Sequence, residues 1–304
     1  WNVTIERQLP SNVIMQAAYV GNQGHFLTAP YQINRPILID QPAIVRPLPS
    51  FGSITGYGSI GDSNYHAFQL QVQKRAGNGL TVISAFTTSH ALGNVDGNSF
   101  GTGDGALLVQ DIFNLRSSYS DLNFDVRQRL STSVLYELPL LRNSKGLLHA
   151  IGGGWRIGTI LSAQNGTAAG VGYGVDTTMT TVGSRADQIA KPTLSRSERS
   201  SQRWFNTAAF AAPPSYAKCG SCGRFGNAPR TSIHNPGLVT VDMILGKSFQ
   251  IHEGVRFDLR AESFNTFNHV NLGSANMSLT SSAFGTVGSA RDPRIIQFGG
   301  KFVF

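Results

Sequence analysis

Cys219 and Cys222, the two cysteines of this 304-residue chain, form a Cys-x-x-Cys motif, which in proteins supports redox chemistry, metal binding or a disulfide. Redox proteins place the motif where a strand meets a helix, but here Pro213, Pro214 and Gly223 surround it. A structural zinc site needs four ligands, and this motif supplies two. In an oxidising compartment the pair therefore predicts a small disulfide loop.

The sequence lacks the spacings that indicate catalysis or cofactor binding. Its seven histidines show neither His-x-His nor His-Glu-x-x-His, and neither a Gly-x-Ser-x-Gly elbow nor a Walker motif occurs. The glycine-rich run at 170–174 lacks the third glycine of a dinucleotide site. We therefore predict no metal, no cofactor and no enzymatic activity.

A row of alternating charges marks one segment near the C-terminus. The row consists of Arg256, Asp258, Arg260 and Glu262. Residues two apart on a β-strand face the same way, so these charges are expected to share one face. We expect Asp242 to join them from a neighbouring strand, and Arg127 and Arg129 to face the same side from another. A water-solvated ladder and a surface for another domain both remain possible interpretations.

A long connection at 165–237 carries the residues best suited to bind a ligand. The candidates are Arg203, Trp204, Phe205, Phe210 and Tyr216. Exposed aromatic side chains beside arginine are typical of binding surfaces. The alternative is that these rings pack against one another or onto the rest of the protein.

The basic character of the chain does not indicate nucleic-acid binding. The net charge is +8 and the isoelectric point about 9.8, but a nucleic-acid footprint needs lysines and arginines gathered into a stripe. Here they are scattered along the sequence. We therefore predict no nucleic-acid partner.

The elements that position these side chains can be predicted from the pattern of apolar residues. Apolar and polar residues alternate with a period of two, which is typical of β-strands. This alternation predicts nine strands, in the segments Trp1–Leu9, Val13–Val20, Phe68–Gln73, Leu80–Ala91, Asp125–Leu138, Trp155–Ala163, Val239–Phe249, Val255–Glu262 and Ile296–Phe304. Only 14% of residues are charged, against roughly 25% in an average soluble domain. No apolar run approaches the roughly 18 residues of a membrane-spanning helix.

Short and long connections alternate between these segments. The second and third are separated by about 44 residues, the sixth and seventh by about 73, which is unusual in a compact soluble domain. Membrane barrels alternate in this way, with short turns on one rim and long loops on the other. We therefore predict an all-β, antiparallel up-and-down transmembrane barrel, with a soluble sandwich as the alternative. Because bacterial barrels have even strand numbers, we expect further strands upstream of Trp1.

Eight segments of the sequence resemble a known family in their order along the chain. They are Ala18–Gly24, Ser50–Arg75, Asp111–Leu130, Tyr136–Pro139, Gln202–Pro213, Phe225–Arg230, Arg260–Gly273 and Asp292–Phe304. Together they resemble the C-terminal part of the barrel of Oar-like TonB-dependent transporters of acidobacteria, and the resemblance covers almost the whole chain.

The resemblance implies that residues 1–304 form the last nine strands of a barrel of about 22. It implies a location in the bacterial outer membrane, in contact with lipid, and energised uptake of a ligand caught by long outer loops. The implied partners are a plug domain facing the charged row, the TonB complex, and the barrel-assembly machinery, which reads Phe302 and Phe304 at the C-terminus. No segment of this sequence matches a plug, a TonB box or a signal peptide. A secreted or surface-attached adhesion or glycan-binding β-protein remains the alternative function, and the substrate is not readable.

Overall fold

The fold is known from a computed structural model that describes residues 1–36, 46–76, 78–95, 109–140, 146, 151–219, 222–252 and 254–304. Its strands are β1 Asn2–Leu9, β2 Val13–Gln32, β3 Thr55–Arg75, β4 Leu80–Gly93, β5 Ser120–Asp121, β6 Gln128–Glu137, β7 Trp155–Gln164, β8 Ala168–Ala169, β9 Asp187–Gln188, β10 Phe210–Ala211, β11 Ile233–His234, β12 Leu238–His252, β13 Val255–Phe264 and β14 Ile295–Val303. Helical turns cover Leu115–Ser118, Arg196–Glu198, Thr207–Ala209 and Tyr216–Cys219. None of the helices in these ranges is long and apolar enough to cross a membrane.

Nine strands form one antiparallel sheet, which we call the wall. Its order is β1-β2-β3-β4-β6-β7-β12-β13-β14, so neighbours in the sequence are neighbours in space. The predicted all-β, antiparallel architecture and the number of wall strands are thus confirmed. The short strand β5 pairs with the end of β4, and β1 and β14 are the two edges of the described sheet.

Tight turns join the wall strands at one end. Ser11 and Asn12 connect β1 to β2 with positive φ angles of 64° and 56°, a pair of left-handed residues that matches the twist of a two-strand hairpin. Gly79, between β3 and β4, has a φ of +87°, and a Cβ there would lie 2.8 Å from the carbonyl oxygen of Glu137. This turn therefore requires glycine.

The register divides the wall into two faces of different chemistry. Tyr19 lies opposite Phe68 across β2 and β3, and Phe257 lies opposite Phe302 across β13 and β14. The apolar face includes Val3, Ile5, Tyr19, Phe68, Leu70, Leu245, Leu259, Phe298 and Phe302. The polar face includes Gln69, Gln71, Arg129, Asp242, Arg256, Asp258, Arg260 and Glu262. The pairing of neighbouring strands thus brings the residues that alternate along each strand onto two common faces.

Aromatic rings on the apolar face form a band near the turn between β12 and β13. The rings of Phe257 and Phe302 are 4.5 Å apart, and Phe249 and Phe304 extend the band on either side at 6.4 Å. Lys247, a charge on this same face, is only 5% exposed. Its ammonium donates hydrogen bonds to the carbonyl oxygens of Ile151 and Gly153, at 2.9 and 2.6 Å. Such pairing makes burial of the charge tolerable.

The second and third strands are much longer than the alternation predicts. β2 continues to Gln32 and β3 begins at Thr55, and their ladder runs from Val13–Lys74 to Gln32–Thr55. The residues beyond Val20 are mostly glycine and polar residues, so the apolar period is lost although the backbone pairing continues. Burial does not alternate in this extension either, since the consecutive residues Ala29 and Pro30 are both buried. A period-two signal reports a difference between two environments, and here the two faces do not differ in that regular way. The fifth predicted strand was also wrong at its start, because the corresponding strand β6 begins at Gln128 rather than at Asp125.

The main buried apolar cluster lies outside the wall, at the end opposite the tight turns. Residues of the connections 165–237 and 265–294 form it, and we call these two connections together the loop unit. Its buried members are Val171, Ala186, Phe205, Ala209, Phe210, Ala228, Ile233, Ala275 and Val287. Two small antiparallel pairs, β8 with β11 and β9 with β10, brace this unit. The loop unit is thus a folded structure with its own core.

Candidate functional site

The charged row on the polar face of β13 is a ladder of local ion pairs. The Nε of Arg256 lies 3.2 Å from Asp258, and the Nε of Arg260 lies 3.3 Å from Glu262. The hydroxyl of Ser248 on β12 donates to Asp258 at 2.6 Å. Both carboxylates are mostly buried, whereas the arginine side chains are more than half exposed. The row therefore exposes guanidinium groups, rather than carboxylates, on the polar face of the wall.

Two further residues predicted for this face, Asp242 and Arg129, also lie on it, but they have different local roles. Asp242 accepts a hydrogen bond from the backbone N–H of Asn265 at 2.8 Å, so it fixes the turn that follows β13. Arg129 lies opposite Gln164 of β7 and Thr87 of β4. Among the residues that the structure describes, no carboxylate forms an ion pair with Arg129.

Arg127 does not lie on a wall strand, contrary to the prediction, because the strand begins one residue later. Its guanidinium pairs with Asp121 at 2.8 Å and with Asp125 at 2.7 Å. His90 contacts the same Asp121 carboxylate at 2.9 Å, and His234 lies 3.6 Å from it. This cluster joins the loop unit, through His234, to the ends of β4 and β6.

Asp121 is the centre of this cluster. Burial alone would raise the pKa of its carboxyl group, but hydrogen bonds and charge from Arg127 and His90 outweigh burial and lower the pKa below the ordinary value. Carboxylate and imidazole atoms of Asp121, Asp125 and His234 come within 4.8 Å of one another, a spacing that a metal ion could bridge. The Arg127 guanidinium already contacts both carboxylates, so a fixed cation is present where a metal would bind. The sequence did not reveal this cluster because His234 is more than 100 positions from the other members and reaches them only in the folded chain.

The aromatic ligand candidates divide into two groups. Phe205 and Phe210 are 1% and 6% exposed, and their rings pack edge to face with each other and with Phe284 at 5.2 to 6.2 Å. The prediction that these two rings line a binding surface was wrong, because they form the core of the loop unit. The alternative of mutual packing accounts for both.

Trp204 and Arg203 remain closer to the surface. The Trp204 indole N–H donates to the carbonyl oxygen of His234 at 2.7 Å, and the Arg199 guanidinium lies 5.4 Å from the ring centre. Arg203 is exposed. Tyr216 begins a four-residue helix, and its backbone N–H donates to Thr177 at 2.9 Å. Ligand contact by these three residues stays a prediction.

A bidentate ion pair links Asp187 of β9 to Arg224, just before the family-resembling segment Phe225–Arg230. Arg224 donates to both oxygens of Asp187 at 2.7 Å. Burial of Asp187 would raise its pKa, but the hydrogen bonds from Arg224 and from the backbone of Asn227 lower it below the ordinary value. The same pair raises the pKa of Arg224. Its role in this position is structural.

Two arginines, Arg185 and Arg230, line one cavity of about 320 Å³ in the loop unit. The sequence did not indicate either as a binding residue, although Arg230 ends the family-resembling segment Phe225–Arg230. Only the fold brings them together, 45 positions apart. The cavity also touches the end of β4 and the segment that precedes β5.

Two sequence predictions lie partly beyond what the structure tests. The side chain of Cys219 is outside the described residues, so the disulfide with Cys222 stays a prediction. Phe302 and Phe304 lie at the C-terminal edge of the wall, with rings 6.4 Å apart, and their role as an assembly signal likewise stays a prediction.

Comparison with solved structures finds similarity to outer-membrane proteins. The outer membrane transporter YddB from Escherichia coli aligns with a TM-score of 0.53 at 12% identity, over 99% of this chain and 32% of that one. The ferric-catecholate import receptor Fiu from E. coli K12 aligns with a TM-score of 0.46 at 12% identity, over 99% of this chain and 27% of that one. The chain thus spans about a third of the length of the first protein and about a quarter of the second.

Sequence comparison identifies the family more directly than these distant likenesses do. No curated protein matches the chain. The family model described as outer membrane beta barrel domain matches residues 1–297, nearly the entire chain. The face-divided wall with tight turns at one end and long loops at the other is what such a barrel requires. The chain therefore belongs to the outer membrane beta barrel domain family, and it is a protein of the bacterial outer membrane.

Proposed function

We propose that this chain is the C-terminal part of the barrel of a TonB-dependent transporter, which takes up a ligand captured by its outer loops. The observation that carries the proposal is the folded loop unit at one end of a two-faced membrane wall. A rigid wall that holds structured loops at the outer rim is suited to selective capture. The eight segments that resemble Oar-like transporters support that subtype. The energy would come from the inner-membrane complex, so the chain would need no catalytic residue.

The wall requires further strands to form a pore. Unpaired N–H and C=O groups along an edge strand cost several kcal/mol each in hydrocarbon, and β1 and β14 are both edges of the described sheet. We infer that strands of a longer chain, to a total of about 22, close the barrel between these two edges. This chain covers 32% of YddB, so a chain of that length would have room for the remaining strands and for a plug domain.

The polar face would line the lumen of the completed barrel. Arg256 and Arg260 present half-exposed guanidinium groups there, which suits contact with acidic or carbonyl groups of a plug domain. The apolar face would meet lipid. Phe302, packed on Phe257 at the edge of that face, and the terminal Phe304 would be recognised by the barrel-assembly machinery.

Transport can be tested without knowing the ligand. Three strains of the source bacterium, namely the wild type, a deletion of the full-length receptor and a tonB deletion, are grown in the same complex medium, and mass spectrometry follows the loss of compounds from it. We expect at least one compound to be depleted by the wild type alone. A compound bound equally by wild-type and tonB-deletion cells, with none depleted through TonB, would favour the adhesion or glycan-binding function instead.

A further inference from the structure

Residues from three parts of the chain line the cavity in the loop unit. Asn94 follows the end of β4, Gln110 and Ser118 lie in the segment before β5, and the loop 165–237 supplies Ser184, Arg185 and Arg230. Its volume of about 320 Å³ is at the lower end of the range for small-molecule pockets. Because long loops of outer-membrane barrels face the exterior, the cavity lies on the side from which a ligand arrives.

Arg185 is the unusual residue of this cavity. Its Nη2 donates to the backbone carbonyl and the hydroxyl of Ser117, at 3.0 and 3.4 Å. Its Nε is buried and has no hydrogen-bond partner. Throughout the described ranges, no carboxylate forms an ion pair with this guanidinium. An arginine withdrawn from water is ordinarily compensated by an anion, so its local pairing is incomplete.

Arg230 adds a second positive charge to the same cavity. Its Nε donates to the carbonyl oxygen of Ser118 at 3.0 Å and its Nη2 to that of Gly93 at 2.9 Å, so backbone groups of the wall end hold it in position. Burial and the nearby charge of Arg230 lower the pKa of Arg185 to about 10. Arg185 remains charged at neutral pH, but at a cost that an anion would remove.

Two neutral side chains of the cavity, those of Gln110 and Ser184, are already hydrogen-bonded to the protein. The Gln110 side chain accepts from the backbone N–H of Arg185 at 2.8 Å and donates to Gly226, and the Ser184 hydroxyl accepts from Gly226. Gly172 also lines the cavity, and a Cβ built on it would meet nothing within 4 Å. The cavity therefore combines open space with an incompletely paired cation.

We propose that this cavity binds an anionic group, a carboxylate or a phosphate, with the Arg185 guanidinium as its principal contact. The inference rests on the proposed function, because the anion would be part of the ligand that the receptor captures. A planar guanidinium with free donors suits both anions, since each offers paired oxygens for charge-assisted hydrogen bonds.

The test uses the purified full-length receptor in detergent, titrated separately with inorganic phosphate and with acetate. Line broadening of the ³¹P signal and saturation transfer to the acetate methyl group report binding, and the stronger of the two identifies the anion class. Arg185→Gln should weaken binding roughly tenfold or more, since a charge-assisted hydrogen bond is lost, and Arg185→Lys should weaken it less. Gly172→Leu should also reduce binding, because its side chain fills the open space without removing a charge.

Arg291→Gln is the matched control, since Arg291 is exposed in the connection 265–294 and lies outside the cavity. Equal affinity of wild type and Arg185→Gln, or an equal loss in Arg291→Gln, would overturn the site. A normal electrophoretic shift on heating would show that each variant barrel is folded. TonB-dependent depletion without anion binding would overturn the anion site alone, whereas anion binding without such depletion would overturn the transport function alone.

Discussion

The wall and the loop unit handle apolar side chains in opposite ways. On the wall, Phe298 is 81% exposed and Val3 is 63% exposed, because the side chains of the apolar face have lipid rather than protein as their surroundings. In the loop unit, Phe205 is 1% exposed and packs against other rings. The same residue type is thus stabilised by the bilayer in one region and by a protein core in the other. A substitution in the wall should therefore change its interaction with lipid, whereas a substitution in the loop unit should change the packing of a protein core.

The largest expected difference between the two regions is their accessibility from the two sides of the membrane. In a full-length receptor whose two native cysteines are replaced by serine, single cysteines at Gln202 and Ser282 in the loop unit should react with an impermeant thiol reagent on intact cells. Cysteines at Ser11 and Asn78, in the tight turns, should react only after the outer membrane is opened. Equal labelling at all four positions would contradict the membrane topology.

Phe205→Ala should have the largest effect on stability, confined to the loop unit. Removing a fully buried aromatic ring from a packed core costs about 3 to 5 kcal/mol. We expect faster cleavage of the 165–237 connection by an external protease while the barrel keeps its resistance to unfolding in SDS. Phe267→Ala, at an exposed phenylalanine of the connection 265–294, is the control and should leave cleavage unchanged. Loss of barrel assembly in Phe205→Ala would show that the two regions do not fold independently.

Leu259→Arg and Arg260→Leu compare the two faces of the wall at adjacent positions. Leu259 lies on the apolar face, so an arginine there should cost roughly 2 to 4 kcal/mol if it is near the middle of the bilayer. Arg260 lies on the polar face with its side chain more than half exposed, so Arg260→Leu should assemble normally. Unfolding by guanidinium in lipid vesicles measures both changes. A larger loss for Arg260→Leu would mean that the faces are assigned the wrong way round.

The loop unit should also lose stability in acid before the wall does. Asp187 has a lowered pKa in the folded state, so the folded loop binds this proton less readily than the unfolded loop. The ion pair with Arg224 therefore contributes fully above the unfolded pKa of about 4 and is lost as the pH falls below it. Protease cleavage of the 165–237 connection should increase between about pH 5 and pH 3. Arg224→Gln should flatten this dependence, and an unchanged profile would exclude the Asp187 pair as its source.

The smallest effect is expected from replacing both Cys219 and Cys222 by serine. A disulfide between residues this close in sequence removes little chain entropy, so its contribution to stability is small. Assembly of the barrel and the protease resistance of the loop unit should both remain at the wild-type level. Mass spectrometry of the oxidised wild-type receptor should show the pair bonded, and two free thiols there would refute the disulfide.

The sequence by itself determined the wall. Apolar and polar residues alternate along each wall strand because one face meets lipid and the other does not. Successive residues point to opposite faces, so this difference produces a period of two in the sequence. This alternation gave the number of strands, their order and the faces of residues such as Leu259 and Arg260. The same signal failed beyond Val20 on β2, where apolar and polar residues no longer alternate although the backbone pairing continues.

Only the tertiary structure decided the arrangement of the loop unit. Phe205 and Tyr216 are both aromatic residues of one long connection, so the sequence does not distinguish them. In the structure Phe205 lies in the core of the loop unit and Tyr216 does not. Arg127 reads as a strand residue, yet it pairs with Asp121 and Asp125 before β6 begins. Arg185 and Arg230 share a cavity although 45 positions separate them. Contacts between distant loop segments have no period, because irregular backbone places each side chain individually, and so they become visible only when the chain is folded.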